Sequence, residues 1–391
     1  MWNLFKIVNF FWLLASTRMW PTALFNLGPI LIPINLLMLL CISMLPIKVR
    51  LDARTGLVMA AIVLISLWYI WIDGAVMGVV IFLQYLPVLF LLQLPVHYMK
   101  DLLRFSTKWL AILLIPALLL YWVLLVANLP SFGQFVHPTY KPFLNYIFYI
   151  KTTFDYGTFE RFNAFFLEPG HLALLCTFLL IANKYRFREN KWLIVLVVSI
   201  AFSFSLAGYL LATLGFILLK INSIGRTLVA VAAVAVIAVA AVNFLGEDTA
   251  MYELIVSRLE YDESKGIKGN NRVDSNTDYV FDKAVHKGKT LTGVSKTTNM
   301  DLVAGAGYKI YIIRYGLVGA LLSLALYVLL IPPAPDWRYT LIFLFILILC
   351  FMQRAYPEWY SWLFPYISGI YIAKSEKDER GGDPMDAELS V

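Results

Sequence analysis

The feature that most constrains this chain is a repeated run of uncharged, apolar residues, each long enough to cross a hydrocarbon layer. Clear runs lie near residues 27–46, 56–72, 74–96 and 109–128, with others at 163–183, 227–245, 305–331, 338–353 and 359–373. In a helix, about 20 such residues match a bilayer core of roughly 30 Å. Only 15% of the 391 residues are charged, against about 25% in a soluble domain. The spacing predicts an all-α, polytopic membrane bundle. A transmembrane β-barrel would instead alternate apolar and polar residues over segments of about ten.

The loops between these runs predict an orientation. Lys48, Arg50 and Arg54 lie in 47–55, and Lys100, Arg104 and Lys108 in 97–108. The segments 184–191 and 220–226 are also basic, and Arg338 marks a further turn. All fall on one side when the runs are counted in order, which by the positive-inside rule is the cytoplasmic side. The count is eleven transmembrane helices from residue 27 onward, or twelve if residues 4–20 also cross. That first stretch is interrupted by Lys6, Asn9 and Arg18. It reads either as a marginal span or as an interfacial helix anchored by Trp2, Trp12 and Trp20. No small-residue cleavage site follows it, so a cleaved leader is not expected. Residues 1–373 form the membrane domain, and 374–391 read as a disordered polar tail on the cytoplasmic side.

The net charge of +7 is dispersed over short loops and does not point to a nucleic-acid partner. Cys41, Cys176 and Cys350 all sit inside apolar runs, which suits buried small hydrophobes rather than a disulfide framework or metal site. Gln84, Pro87, Gln93, Pro95 and Pro116 interrupt two spans, as either cavity-lining or packing features. Two runs, 192–206 and 208–219, are short and separated by the small, polar break Ser203–Gly208. They read as a hairpin turning within the membrane or as two tilted helices joined by a tight loop.

The loops on the opposite side, 128–162 and 246–304, carry the chemistry-bearing residues. The second contains eight Lys or Arg and ten Asp or Glu. Within it, the stretch 251–259 is amphipathic, and a short helix is expected over Asn276–Val285, ended by His286. At the mouth of a span stands Arg161-Phe-Asn-Ala-Phe-Phe-Leu-Glu168-Pro-Gly-His171. A carboxylate before a proline complements a helix N-terminus. Equally, it can act as a general base on a sugar hydroxyl. His171 is either a structural hydrogen-bonder or a second catalytic group. Arg161, Arg258, Arg272, Arg314 and Arg354 are candidates for bidentate phosphate recognition. The alternative for each is snorkelling or pairing with a carboxylate. Glu358 shares the last short turn with Arg354. There is no P-loop, no HExxH helix and no GxSxG elbow, and no cofactor is expected.

Arg161 through His171 resembles the arginine-then-"F-x-EP-small" signature of the Wzy-type O-antigen and capsular polysaccharide polymerases, which share a superfamily with the O-antigen ligases. Ser203-Phe-Ser-Leu-Ala-Gly208 resembles that family's break between paired spans. The order Arg258, Arg272, Gly293, Gly305-Ala-Gly307, Gly316-Leu-Val-Gly319 is similar to its second large periplasmic loop and the span that follows. The resemblance covers roughly residues 155–320. It implies a GT-C-like, metal-independent, inverting glycosyltransferase of the bacterial inner membrane, facing the periplasm. Its donor and acceptor would be undecaprenyl-diphosphate-linked oligosaccharides held among membrane lipid, with a polysaccharide co-polymerase setting chain length. Arg161 and Arg272 would stabilise the departing diphosphate, and Glu168 or His171 would act on the acceptor. A ligase that transfers glycan to lipid A core shares the donor site. A transporter or flippase for lipid-linked glycans is the rival from another class. Matching broken helices in two halves would mark it, and the sequence carries no such repeat.

Overall fold

The structure, a computed structural model, describes residues 1–23, 27–47, 52–136, 142–152, 160–221, 225–226, 229, 261–262, 266–267, 275–293 and 307–381. In chain order its helices are α1 (Trp2–Ser16), the single turn α2 (Trp20–Ala23), α3 (Leu27–Ser43), α4 (Ala53–Asp73), α5 (Ala75–Leu92), α6 (Val96–Val126), α7 (Pro169–Ala182), α8 (Leu193–Ser203), α9 (Leu206–Lys220), α10 (Ser275–His286), α11 (Tyr308–Leu329), α12 (Trp337–Gln353) and α13 (Tyr360–Gly381). Among the described residues, α4, α5, α6 and α11 are long and apolar enough to cross a membrane, and α3, α7, α8, α9 and α12 are apolar but shorter. This fits an α-helical membrane protein. Apart from residue 229, the expected run 227–245 lies outside the described residues, as do the stretch 251–259, Arg258 and Arg272.

The all-α expectation fits, with few strands beside the helices. Part of 128–162 pairs as a small antiparallel sheet of β1 (Gly133–Phe135), β2 (Phe143–Asn145) and β3 (Ile150–Thr152). Phe143 and Ile150 are buried there with Leu167, which ties the sheet to the segment leading into α7.

Long apolar helices leave their last carbonyls without partners, and basic residues supply them at one end of the bundle. From the start of α4, Arg54 donates to the carbonyls of Leu329 and Leu330 at 3.2 and 2.6 Å. From the start of α12, Arg338 donates to those of Leu218 and Ile221 at 3.0 and 2.9 Å. Lys184 and Arg186 grip Glu376 of α13 at 2.8 and 2.6 Å. Lys100 lies 3.4 Å from Glu379, and Lys6 lies 3.1 Å from Asp101. Cations dispersed in sequence therefore gather at one end, here called the basic end.

This packing corrects two expectations about the ends of elements and bears on a third, which was open. The segment 97–108 is not a loop but the first turns of α6: Met99, Leu102, Leu103, Ser106 and Thr107 recur at helical spacing and are buried. No Gly or Pro interrupts them. The tail beyond residue 373 continues as helix to Gly381, held by the Glu376 pairs. Finally, α1 runs from the basic end, where Trp2 bonds Asp101 at 2.6 Å, to the opposite end, where Arg18 sits. Trp12 is 1% exposed and belongs to the core rather than to an interfacial anchor. The three cysteines are buried, as expected.

Glu376 gives this end a pH dependence. Burial alone would raise its carboxyl, but the hydrogen bonds from Arg186 and Lys184 outweigh that and hold it at about 2. A carboxyl depressed in the folded state stabilises above its unfolded value, and that contribution is lost as pH falls from about 4.5 to about 2. Discounted for solvent, the effect is about 1 kcal/mol. Thermal unfolding in detergent should therefore show an acid-sensitive increment in wild type that Glu376→Gln lacks.

The helices α8 and α9 contain 11 and 15 residues, about 16 and 22 Å at 1.5 Å per residue. They meet at Phe204, which is left-handed (φ 45°). Ser205 Oγ then accepts from the Gly208 amide at 3.3 Å and starts α9. The turn abuts protein: the Phe162 amide donates to the Phe202 carbonyl at 2.9 Å. Phe162, Ala164 and Phe166 are buried, so this irregular backbone is enclosed by side chains.

Candidate functional site

The end opposite the basic one is built around the start of α7. Glu168 is the N-cap residue of that helix, with extended backbone, and Pro169 occupies its first position. Its side chain makes no cap hydrogen bond. Instead, Glu168 Oε2 accepts from Arg354 Nη2, in the turn after α12. Arg354 Nη1 lies 2.7 Å from His171 Nε2. Arg354 and His171 are each 1% exposed, and Glu168 is 25% exposed. Gly170 makes this possible, because a Cβ there would stand 2.8 Å from Arg354 Nη2. The Glu-Pro-Gly-His sequence thus has a local cause: a helix start, then room for a guanidinium, then an imidazole one turn in.

The turn 354–359 is fixed from several sides. Tyr327 donates to the Pro357 carbonyl at 2.9 Å, and Trp362 Nε1 to that of Tyr356 at 3.0 Å. Tyr356 and Trp359 stack, ring centres 4.6 Å apart, and Trp359 meets the His171 ring edge-on at 4.9 Å. Arg18 covers both aromatics, its guanidinium 5.4 Å from the Tyr356 ring and 5.6 Å from that of Trp359. Such contacts hold a cation over an aromatic face. Arg18 is left-handed (φ 58°). Its carbonyl accepts from the Leu167 amide at 3.3 Å. The N-terminal strand-like turn and the Glu168 segment therefore hold each other.

Glu358 lies in the same turn. Its Oε2 is buried and has no hydrogen-bond partner among the described residues. Burial pushes the carboxyl up to about 7, against its own backbone hydrogen bond and the opposing charges of Arg18 and Arg314.

Arg314 comes from α11. It donates to Asp73 at the end of α4, with Nε and Nη2 at 3.2 and 3.1 Å from Oδ2. Tyr315 donates to the same oxygen at 3.1 Å. Two residues on, the helix breaks its own pattern at Gly316 (φ 69°, ψ 179°). The amides of Leu317 and Val318 donate not to their own helix but to the carbonyls of Thr290 and Leu291, at 2.8 and 3.1 Å. Helix α10 lies just before that segment, close to the expected bounds and ending at His286. Lys309 pairs with Asp278 of α10 at 2.5 Å.

Of the residues singled out from sequence, the structure thus joins Glu168, His171 and Arg354 directly and puts Arg314 within electrostatic reach of the same turn. Arg161 serves a different neighbour: its Nε donates to the Ser203 carbonyl at 3.2 Å, at the C-terminal end of α8. In the described state Arg354 is turned inward to Glu168 and His171 rather than presented at the surface. Arg18, Asp73 and Glu358 were not selected as site residues from the sequence. In the sequence Arg18 interrupts an apolar run and Glu358 stands in a short turn. Their signal was being charged at a span's end, which many structural residues share.

No family model matches the chain, and no curated protein or solved structure matches it. Fold and site together define a class only: an apolar helical bundle, fitting a membrane protein, with arginines, carboxylates and an imidazole collected at one end.

Proposed function

We propose that the chain is a membrane glycosyltransferase that joins undecaprenyl-diphosphate-linked oligosaccharide repeat units into O-antigen or capsular polysaccharide, facing the periplasm from a bacterial inner membrane. The observation that most supports this reading is the gathering of Glu168, His171, Arg354, Glu358, Arg18 and Arg314 at one end of an otherwise apolar bundle. A transfer from a lipid diphosphate needs cations where negative charge develops on the leaving group, and a proton acceptor for the incoming hydroxyl. It also needs both next to a place for a lipid tail. An apolar cleft between α11 and α12, lined by Ile312, Leu324, Ile348, Met352, Ala355 and Pro357, opens beside the turn 354–359 and suits a prenyl chain.

In this reading Arg161, Arg258, Arg272 and Arg314 contact or steer the diphosphate. Glu168, His171 and Arg354 form a preorganised group at the acceptor side. The decisive experiment incubates the purified full chain with a defined lipid-diphosphate repeat unit, without added nucleotide or metal. A ladder of products is expected, and Arg161→Ala and Arg272→Ala should abolish it while single units remain intact. Transfer only to lipid A core would make the chain a ligase. Movement of the substrate across vesicles without any product would make it a transporter.

A further inference from the structure

We infer that Glu358, rather than Glu168, is the group that takes the proton from the acceptor hydroxyl. The inference rests on the transferase reading above and assigns the base within that same site.

The geometry separates the two carboxylates. Glu168 Oε2 already accepts from Arg354 Nη2. Taking up a proton would neutralise the carboxylate and weaken a charge-assisted hydrogen bond inside the protein, which is among the stronger kinds. Arg354, which is 1% exposed, would then be a buried cation without its counter-charge. Glu358 has a hydrogen bond to its own backbone, and its Oε2 is buried with no hydrogen-bond partner among the described residues. The residue as a whole is half-buried, in the turn that also carries Arg354.

The charged and titratable groups that interact with Glu358 come from several elements. Arg18, after α1, and Arg314, on α11, are the cations within electrostatic reach. Arg314 is itself tied to Asp73. The phenols of Tyr69 on α4, Tyr85 on α5 and Tyr311, Tyr315 and Tyr327 on α11 interact with it electrostatically. Two of these hydroxyls are linked, Tyr69 to Tyr311 at 3.3 Å, and Tyr311 continues to Ser323 at 3.0 Å. Burial with an unpaired oxygen raises the carboxyl to about 7, the range in which a general base works best. The flanking arginines hold the ionised form within reach and also suit an incoming diphosphate.

The step balances as follows. The acceptor O–H proton passes to the Glu358 carboxylate. The acceptor oxygen forms the new bond to the anomeric carbon. The bond from that carbon to the diphosphate oxygen breaks, and its electron pair leaves on the lipid diphosphate. Glu358 then returns the proton to water.

The test uses the full chain in lipid nanodiscs with a lipid-diphosphate repeat unit, from about pH 5 to about pH 9. Wild type is expected to gain transfer rate as pH rises through about 7. Glu358→Gln should bind donor normally, lose about 10²–10⁴-fold in rate and lose that pH limb. Glu358→Asp should recover part of the rate together with the limb. In parallel, infrared difference spectra without substrate should show a protonated carboxyl band titrating near 7 that is absent in Glu358→Gln. Wild-type rate and profile in Glu358→Gln would overturn the assignment and leave the transferase reading standing. A missing or non-titrating band would also overturn it. Wild type that forms no glycosidic product would fail the transferase reading itself, and the base role with it. Glu358-dependent, proton-coupled movement of the intact substrate would then identify a transporter.

Discussion

Replacing Arg354 by Ala is expected to lower stability by about 3–5 kcal/mol, the usual cost of removing one partner from a buried pair. The reason lies in what remains. Glu168 would keep a carboxylate whose Oε2 has lost its donor, and His171, 1% exposed, would lose a 2.7 Å contact at Nε2. Water cannot fully replace a buried guanidinium packed against Gly170. Lysine should rescue poorly, because one ammonium on a flexible stem cannot reproduce a planar fork serving two acceptors. The check is a double-mutant cycle in detergent, with unfolding followed by helical circular dichroism. Glu168→Gln with Arg354→Met should cost less than Arg354→Ala alone, since no buried charge is then left over. Equal costs would mean the trio is a crowd of neighbours rather than a coupled unit.

The second large effect is expected at Gly316. Its backbone lies in a region open essentially to glycine, so an alanine there carries about 1–3 kcal/mol of strain. Its Cβ would also stand 2.3 Å from the Leu291 carbonyl oxygen and 2.6 Å from the Gly293 amide. Backbone atoms do not yield as a side-chain tip does, and overpacking adds about 1–3 kcal/mol. Gly293 mirrors the problem: at φ 82° its Cβ would meet the Arg314 carbonyl at 2.4 Å. Gly316→Ala and Gly293→Ala should each cost about 4 kcal/mol. Because both expel the same segment, the double variant should cost well short of the sum. Proteolysis within 289–293 should become faster in each. Additive losses with unchanged proteolysis would refute a shared joint.

Much of the bundle was legible because apolar periodicity and basic loops are local signals. The runs at 56–72 and 74–96 mark α4 and α5 within a few residues, and α10 was visible from its flanks. What failed did so for physical reasons. Basic residues in 97–108 suggested a loop, yet a helix carries cations on one face while burying Met99 and Leu103 on the other. The tail past Lys374 is polar enough to read as unstructured, and its order comes from Glu376 meeting Lys184 and Arg186, 192 and 190 residues away. The same limit applies to the site. Glu168, Pro169 and His171 are a readable motif, but Arg354 lies 186 residues beyond Glu168, and only folding selects it over Arg161 as the carboxylate's partner. Glu358 differs from an ordinary turn residue only through what encloses it, which no local pattern records.

Arg54 and Arg338 carry one further consequence. Both end with their guanidinium groups on helix-terminal carbonyls. Basic loops orient a chain while it is entering the bilayer, before those helix ends have come together. A residue can then act first as a signal to the insertion machinery and later as a cap, at separate moments. A neutral hydrogen-bonding replacement such as Gln would divide the two duties. It could keep part of the cap in the finished bundle while removing the charge that the nascent chain displays.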